Sequence, residues 1–392
     1  MRIRTCLTIL FLAGLGLSAE LPADLYFGRV LEVPDARSVA MGGVTVVAGS
    51  PFGFLTNPAL GVLGFDRLAT PAVPGEKLRP AVGLAYRLGL NSEQRTRTVY
   101  DFYNNAVGEL AVADNFAADA LPGPLAISLP LSVVHLGVGL TPHYDYTYSF
   151  RQEFRDDFYQ LVGRNDLQLS GQVMRADVSL AYDLLKAIGL GAGFAYDFGE
   201  RRLLRRDTTT GDTWQTIESG TPGGVTWNAG LLVHAGRLFR VGLAFEPQTK
   251  YSDWSGALAL NDPMKARLGV CYFAAGRMPT AVMGQVTYAD WHGTDTTLSR
   301  VLEFRAGVEH RLLNSVSLRY GFGLLPSPKD QRVQTGLASV GLGFDTDLAH
   351  IDLGGSITRR VFGSSFLSPA AAVDTRIYET GGEIVLSITR AF

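Results

Sequence analysis

Hydrophobic and polar residues alternate along most of this chain, from about residue 78 to the last residue. The stretch 136–149 is the clearest example: one set of alternate positions is apolar and ends in Tyr144, Tyr146 and Tyr148, whereas the other set is small or polar. Alternate side chains of a strand point to opposite faces, so the stretch predicts a strand with one apolar and one polar face. A wall that is apolar outside, ringed by tyrosines and polar inside is typical of an outer-membrane barrel.

The same alternation predicts about fourteen antiparallel strands, joined by connections that are long and short in turn. The long connections include those predicted at 91–123, 151–166, 201–223, 248–261 and 362–381. An even number of strands with this spacing predicts an all-β fold, a transmembrane antiparallel up-and-down β-barrel formed by residues 78–392. The short turns and both ends of the barrel are expected to face the periplasm, and the long loops the outside.

Charged residues at alternate positions identify the predicted inner wall of the barrel. Arg305 and Glu309 share one strand face, Arg319 lies among glycines on the next strand, and His143 and Asp145 share the polar face of 136–149. A charged side chain on the lipid face costs about 2–4 kcal/mol near the middle of the bilayer, so these five residues are predicted to face the lumen. His143 and Asp145 could form an acid–base pair, but no nucleophile is recognisable beside them, which favours a solvated pair.

The N-terminus has the layout of a secretory signal peptide. Two arginines precede an apolar run over 7–17, and the small residues Ser18 and Ala19 follow, which predicts a signal peptide at 1–19. The apolar run is too short for a membrane-spanning helix. Together with the barrel pattern, this predicts the outer membrane of a Gram-negative-type bacterium. After cleavage only Cys271 remains, so no internal disulfide is expected.

Charge and motif content argue against an enzyme or a nucleic-acid-binding protein. The net charge is −2 with acids and bases interspersed, which gives no basic surface for nucleic acid. The 6 histidines show no metal-ligand spacing, and no glycine-rich phosphate loop precedes a helix. The sequence therefore predicts no catalytic activity, no cofactor and no metal. Arginines at 201, 202, 205 and 206 are interpreted as a solvated charge run in an outer loop, with contact to lipopolysaccharide phosphates as the functional alternative.

Residues 20–77 do not follow the alternating pattern, and they are called the hatch segment below. They contain the motifs Ala36-Arg-Ser-Val-Ala-Met-Gly-Gly-Val and Thr56-Asn-Pro-Ala-Leu. Paired glycines permit backbone torsions closed to other residues, and Asn before Pro favours a turn. The segment is predicted to be a plug packed against the glycine-lined inner wall, with a periplasmic tail as the alternative.

The two motifs resemble the N-terminal signature of the FadL family of outer-membrane transporters, and they are similar to the related PorV/PorQ-like proteins. The resemblance implies a hatch inside a barrel. The candidate hatch and gating residues are Arg37, Met41, Gly42, Gly43, Asn57, Pro58 and Ala59. An acidic pair often found between the motifs is replaced in this chain by Gly49 and Ser50.

The resemblance implies an outer-membrane channel for passive uptake of hydrophobic small molecules, such as long-chain fatty acids or aromatic hydrocarbons. The PorV branch offers the alternative of a barrel that serves protein secretion, with secretion-system components as partners. Residues 110–120 and 362–372 are candidate walls of an apolar capturing groove between outer loops. The expected surroundings are outer-membrane lipid and lipopolysaccharide.

The last residue is a candidate assembly signal. Ile384, Leu386, Ile388 and Phe392 share one face of the predicted final strand. A terminal aromatic after such a run resembles the signal for outer-membrane insertion, which implies contact with the barrel assembly machinery. Arg390 interrupts this face, although a side chain near the rim can reach the interface.

Overall fold

The chain forms a closed antiparallel barrel of 14 strands. The computed structural model describes residues 29–63, 79–155, 158, 160–184, 187–208, 211–252, 261–274, 276–313, 315–363 and 375–392. The predicted signal peptide at 1–19 lies outside them. In chain order the strands are β1 (Ala81–Tyr100), β2 (Ala106–Leu131), β3 (Val134–Asp145, continued by Tyr148–Arg155), β4 (Leu161–Leu184), β5 (Ile188–Asp207), β6 (Gly223–Ala235, preceded by Gly211–Gly220), β7 (Phe239–Glu246, continued by Tyr251–Ser252), β8 (Met264–Ala274), β9 (Thr280–Asp290), β10 (Arg300–Leu313), β11 (Val316–Pro326), β12 (Gln334–Asp345), β13 (His350–Gly363) and β14 (Thr375–Ala391). β14 pairs with β1 and closes the barrel. The predicted all-β fold and strand number are confirmed.

Side chains on the outer face of the strands are apolar, as the alternation predicts. Leu84 on β1, Phe194 on β5 and Phe322 on β11 are 56%, 57% and 58% exposed, and each is flanked by less exposed neighbours. An apolar outer face is what contact with lipid requires. Among the residues that the structure describes, no helix has the length and apolar character needed to cross a lipid bilayer.

The wall of the barrel is taller on one side than on the other. β1, β2, β4 and β5 contain 20, 26, 24 and 20 residues, whereas β8, β9 and β11 contain 11 each. The long loop predicted at 91–123 is therefore wrong, because β1 and β2 stay paired as far as Tyr100–Ala106. At a rise of about 3.3 Å per residue, this hairpin extends well beyond the apolar belt. Outside lipid neither face must be apolar, so the alternation disappears while the pairing continues.

A bulge in β3 reverses the face on which its tyrosines lie. Pro142 pairs with residue 174 of β4 and Tyr144 with residue 173, so His143 is an extra residue in the ladder. Beyond it the tyrosines at 144, 146 and 148 point inward and are 4%, 1% and 5% exposed. The predicted outward ring of tyrosines is wrong, because one inserted residue shifts a two-residue period onto the opposite face.

The same bend separates β3 from β2. Their ladder runs from Leu131–Val134 to Leu125–Leu140, and within the described residues no pairing between them continues beyond that point. Farther along, β2 stays paired with β1, and β3 with β4. The edges of β2 and β3 therefore separate beyond Leu125–Leu140, and they approach each other again farther along, where the N–H of Arg151 donates to Asn115 Oδ1 at 2.8 Å. This gap in the wall is called the seam below.

Residues 29–63 of the hatch segment lie inside the barrel; the rest of that segment lies outside the described residues. They form a two-residue strand at Arg29–Val30, an α-helix at Ala36–Ala40 and 3-10 helices at Gly53–Leu55 and Pro58–Leu63. Glycines of the wall face this segment: Gly307 and Gly321 face Met41 and Gly42, Gly191 faces Pro58 and Ala59, and Gly242 faces Val46. A side chain at these wall positions would meet the backbone or side chains of the segment, so the glycines allow its close approach.

Candidate functional site

Arg37 ties the helix of the hatch segment to the barrel wall. Its Nη2 atom lies 3.2 Å from Glu309 Oε2 on β10, and it also donates to the carbonyl of Gly49. Glu309 in turn accepts from Arg319 Nε at 2.6 Å, and Arg319 pairs with Asp352. All four charged residues are buried. The hatch segment and the wall therefore share one buried ion network, and its carboxylates come from the wall rather than from positions 49 and 50.

Gly42 and Gly43 form the turn that follows this helix. Their φ angles are +70° and +82°, a region that side chains disfavour. The Gly42 N–H donates to Ser339 Oγ at 2.9 Å. A Cβ on Gly42 would meet the backbone of β10 and β11, whereas one on Gly43 would meet the end of the Arg305 side chain. Met41, directly before the turn, is fully buried in an apolar cluster that includes side chains of β7, β8 and β9.

Asn57 connects the two halves of the hatch segment. Its Nδ2 atom donates to the carbonyl of Val46 at 2.9 Å, and its Oδ1 atom accepts from the N–H of Ala59 at 3.1 Å. Pro58 and Ala59 begin the second 3-10 helix and face Gly191 on β5. Asn57 is completely buried, so water does not compete for these two hydrogen bonds.

His143 and Asp145 both lie on the inner side of the wall, but they do not pair with each other. His143 Nε2 contacts Asp262, and Asp145 lies 3.1 Å from Arg29 Nη2. Their side chains are buried, so the interpretation as a solvated pair is wrong. The bulge at His143 is the physical reason, because it breaks the alternation that would have placed the two side chains together.

Asp262, in the connection before β8, is the centre of a second ion network. Arg175 lies 2.7 Å from Asp197 and 3.3 Å from Asp262, and Lys265 lies 3.7 Å from Asp262. His143, Asp197 and Asp262 hold ligand atoms within 4.8 Å of one another. Arg175 and Lys265 already neutralise the two carboxylates, so this grouping suits an ion network better than a cation. Although burial opposes it, Lys265, His143 and Arg175 hold the pKa of Asp262 well below its usual value.

An apolar cluster covers the inner face of the tall side of the wall, and it is called the tyrosine cluster below. Its members are Ala113, Tyr144, Tyr146, Tyr148, Phe150, Leu167, Leu169, Val173 and Leu203. Val30 of the hatch segment packs against it. The guanidinium of Arg201 lies 5.2 Å from the centre of the Tyr146 ring. Arg201 therefore faces the lumen, whereas Arg202 is exposed. The predicted outer loop at 201–223 is wrong, because all four arginines lie on β5, and the interpretation as a solvated charge run is wrong for Arg201.

Arg29 bridges the two sides of the seam. The strand Arg29–Val30 pairs with Tyr144 and Asp145 on the edge of β3. Arg29 Nη2 lies 2.8 Å from Asp119 Oδ2 on β2 and 3.1 Å from Asp145 Oδ2 on β3. One guanidinium thus connects carboxylates on both edges of the gap. No motif in the sequence marks these three residues.

A cavity of about 290 Å³ lies in the lumen between residues 29–33 and the inner faces of β1 and β8–β14. Its charged lining consists of Arg29, Arg87, Lys265, Arg305 and Arg360 with Glu32, Glu303, Glu379 and Glu383. Arg305, one of the predicted lumen residues, lies 3.0 Å from Glu303. Although burial opposes it, Lys265 and Arg267 hold the pKa of Glu32 below its usual value. The charged groups that line the cavity therefore neutralise one another.

The two segments predicted to form the walls of an outer capturing groove differ in where the structure places them. Residues 110–120 belong to β2 rather than to a loop, although Leu110 and Phe116 are 60% and 68% exposed. In the second wall, Phe362 is buried on β13, and residues 364–372 lie outside the described residues.

Phe392 lies at the short-turn end of the barrel, beside the start of β1. It is 62% exposed, and its N–H donates to the carbonyl of Pro80 at 2.9 Å. The guanidinium of Arg390 lies 5.2 Å from the centre of its ring. Ile384 and Ile388 are exposed on the same strand.

Deleting Phe392 should lower the fraction of chains inserted in the outer membrane by several fold. The deletion removes an exposed ring but leaves the β14–β1 ladder from Ala391–Ala81 onward, so the folded barrel itself should keep most of its stability. Insertion is measured as heat-modifiable protein in outer-membrane fractions, with Phe392→Tyr as the aromatic control. Equal insertion of the deletion variant and the native chain would contradict the assignment as an assembly signal.

Comparisons with known proteins agree with this architecture. A family model described as BamG matches residues 34–235. The structure is similar to that of a Pseudomonas aeruginosa FadL homologue, with a TM-score of 0.64 and 13% identity over 93% of this chain and 100% of that chain. It is also similar to the P. putida toluene transporter TodX, with a TM-score of 0.61 and 15% identity over 92% and 99% of the two chains. It is similar as well to the Ralstonia pickettii toluene transporter TbuX, with a TM-score of 0.56 and 14% identity over 92% of this chain and 99% of that chain. No curated protein matches the sequence significantly. At these identities the structural likeness shows the fold.

Proposed function

Because this chain belongs to the BamG family and folds as a FadL-like barrel of the outer membrane, we propose that it is a channel for hydrophobic small molecules. Uptake is passive and follows the concentration gradient. Long-chain fatty acids and aromatic hydrocarbons are the candidate classes of cargo. Two of the similar structures are of toluene transporters, which supports a hydrophobic cargo for the present chain.

The seam is the observation that carries this proposal. Residues 29–63 lie in the lumen and pack against its wall, so a molecule that enters from the long-loop end meets packed side chains. Pairing between β2 and β3 ends at Leu125–Leu140. On the neighbouring strand β1, the apolar outer belt continues to Leu90, which pairs with Ala118 beyond the end of that ladder. The seam therefore begins at the depth of the bilayer, where a hydrophobic molecule can leave without crossing water.

The tyrosine cluster supplies an apolar surface beside the seam. Val30 packs on this cluster and, with Arg29, forms the strand that pairs with the edge of β3. Withdrawal of Arg29–Val30 would uncover aromatic rings and open the gap at the same time. A hydrophobic molecule that binds those rings stabilises the open arrangement, and only such differential binding can shift the equilibrium between closed and open states.

A disulfide across the closed seam tests the proposal. Val30 and Tyr144 are directly paired, at a separation typical of antiparallel partners that a disulfide can bridge. In the variant Val30→Cys/Tyr144→Cys, oxidation should lower the uptake of labelled fatty acids or aromatic hydrocarbons to the level of cells lacking the protein. A reductant should restore it. Each single substitution is the control, and Cys271 is buried.

Two results would contradict this function. Uptake that continues unchanged while the disulfide is demonstrably formed would exclude release through the seam. Normal uptake in cells that lack the protein, combined with loss of secreted proteins, would support the alternative as a secretion partner. The similar structures of toluene transporters do not favour that alternative.

A further inference from the structure

We propose that Arg29 closes the seam as a clasp, and that the two carboxylates it holds make the open seam selective for uncharged cargo over carboxylate anions. This inference rests on the proposed function, because it concerns molecules that leave through the seam. It decides between the two candidate cargo classes, since ionised fatty acids carry a charge and aromatic hydrocarbons do not.

The clasp joins one residue of the hatch segment to two residues of the barrel wall. Asp119 belongs to β2 and Asp145 to β3, and their side chains are 5% and 1% exposed in these pairs. Asp145 is fixed further, because its Oδ1 atom accepts from the N–H of Thr147 at 3.0 Å. Arg29 belongs to the hatch segment, which is held to the edge of β3 there by a two-residue strand. Withdrawal of that strand therefore removes the guanidinium and leaves both carboxylates in place.

The open seam would then present a carboxyl group on each edge, and the pair carries negative charge. A carboxylate anion passing between Asp119 and Asp145 meets repulsion from this charge, and the low dielectric of a buried passage strengthens the repulsion. An uncharged molecule of the same size meets no such barrier. The edges would thus act as a charge filter for molecules that already suit the apolar tyrosine cluster.

The cations that line the cavity beside the clasp do not offset this filter, because each has a carboxylate partner. In the cavity beside the clasp, the pairs are Arg87–Glu383 at 2.8 Å, Lys265–Glu32 at 2.6 Å, Arg305–Glu303 at 3.0 Å and Arg360–Glu379 at 2.5 Å. An anionic cargo would have to displace one of these partners before it could bind a cation. A neutral cargo leaves the network intact.

Uptake of a matched pair of compounds tests the filter. Dodecanol and dodecanoate have the same chain length, and at neutral pH only dodecanoate is charged. Initial uptake is measured in cells that lack the chromosomal gene and carry the full chain or a variant, and the rate in cells without the protein is subtracted. For the native chain, the protein-dependent rate for dodecanol should exceed that for dodecanoate by about tenfold or more.

The variant Asp119→Asn/Asp145→Asn should bring the two rates close together, because it keeps the shape of the seam and removes its charge. Asp290→Asn/Asp330→Asn is the matched control: it removes the same net charge from carboxylates outside β2 and β3, which pair with Arg300 and Arg332, and should leave the ratio unchanged. Arg29→Gln should raise the dodecanol rate and keep the discrimination, because the clasp is lost while both carboxylates remain. Heat-modifiable migration identifies the assembled variants, and Asp119→Asn alone serves if the double variant fails to assemble.

The charge filter would be overturned if the native chain took up the two compounds at equal rates. It would also be overturned if the seam variant and the control variant changed the dodecanol-to-dodecanoate ratio alike. Either result would leave the channel function intact. An Arg29→Gln rate equal to that of the native chain would overturn the clasp. If neither compound shows a protein-dependent rate, the proposed function fails, and this inference fails with it.

Discussion

Replacing Gly42 with valine should release the hatch segment from the barrel wall. Gly42 has a φ of +70°, which strains a β-branched residue. A Cβ at this position would also meet backbone atoms of Ala306 and Phe322, which cannot move aside as the end of a side chain can. The two effects together should cost about 2–5 kcal/mol. The ladders of the barrel do not depend on Gly42, so the barrel should persist around a loosened hatch.

Ion conductance in planar bilayers measures this release, because a barrel with a loosened hatch should leak where the native chain stays closed. Gly43→Val should have a smaller effect of the same kind, since its Cβ meets chiefly the end of the Arg305 side chain. Gly284→Ala on β9 is the control, because the space at its Cβ is open. Native conductance and native thermal stability for Gly42→Val would contradict the role of this turn.

The predictability of the fold depends on contact with lipid. Where the outer face of a strand meets lipid, only apolar residues are stable, so the alternation predicts β8 at 264–274 and the structure has Met264–Ala274. Beyond the bilayer this constraint ends. The extension of the β1–β2 hairpin therefore shows no alternation of apolar and polar residues and could not be predicted from the sequence. The bulge at His143 was also missed, because a single inserted residue has no signature in the alternation and is set by pairing with β4.

The candidate site was predictable where it depends on local backbone geometry. Gly42 and Gly43 stand in a motif of paired glycines, and the structure places both at positive φ. The clasp could not be predicted in this way, because Arg29 lies 90 positions from Asp119 and 116 from Asp145 along the chain. Only the closed barrel brings the three together. Contacts of this kind depend on the whole topology, and no local pattern encodes them.

Replacing Glu309 with glutamine should weaken the attachment of the hatch segment to the wall. Glu309 is shared between Arg37 on the hatch segment and Arg319 on β11, and all three side chains are at most 4% exposed. Removing its charge leaves two buried guanidinium groups with less compensation, a change that typically costs about 3–5 kcal/mol. The variant should lose its heat-resistant folded form at a lower temperature than the native chain. Glu303→Gln on the same strand is the control. Glu303 is 19% exposed, and within the described part of the chain its salt bridge is to Arg305. Its replacement should therefore lower the stability less.

A double-mutant cycle with Arg37→Gln shows which partner carries the effect of Glu309. If Glu309 acts mainly by holding the hatch segment, Glu309→Gln should cost clearly less in the Arg37→Gln background than in the native chain, because the interaction is already lost there. If the cost is the same in both backgrounds, Glu309 stabilises the wall through Arg319, and the network does not anchor the hatch. Conductance separates the two cases independently, since only a loosened hatch should let ions through an intact barrel.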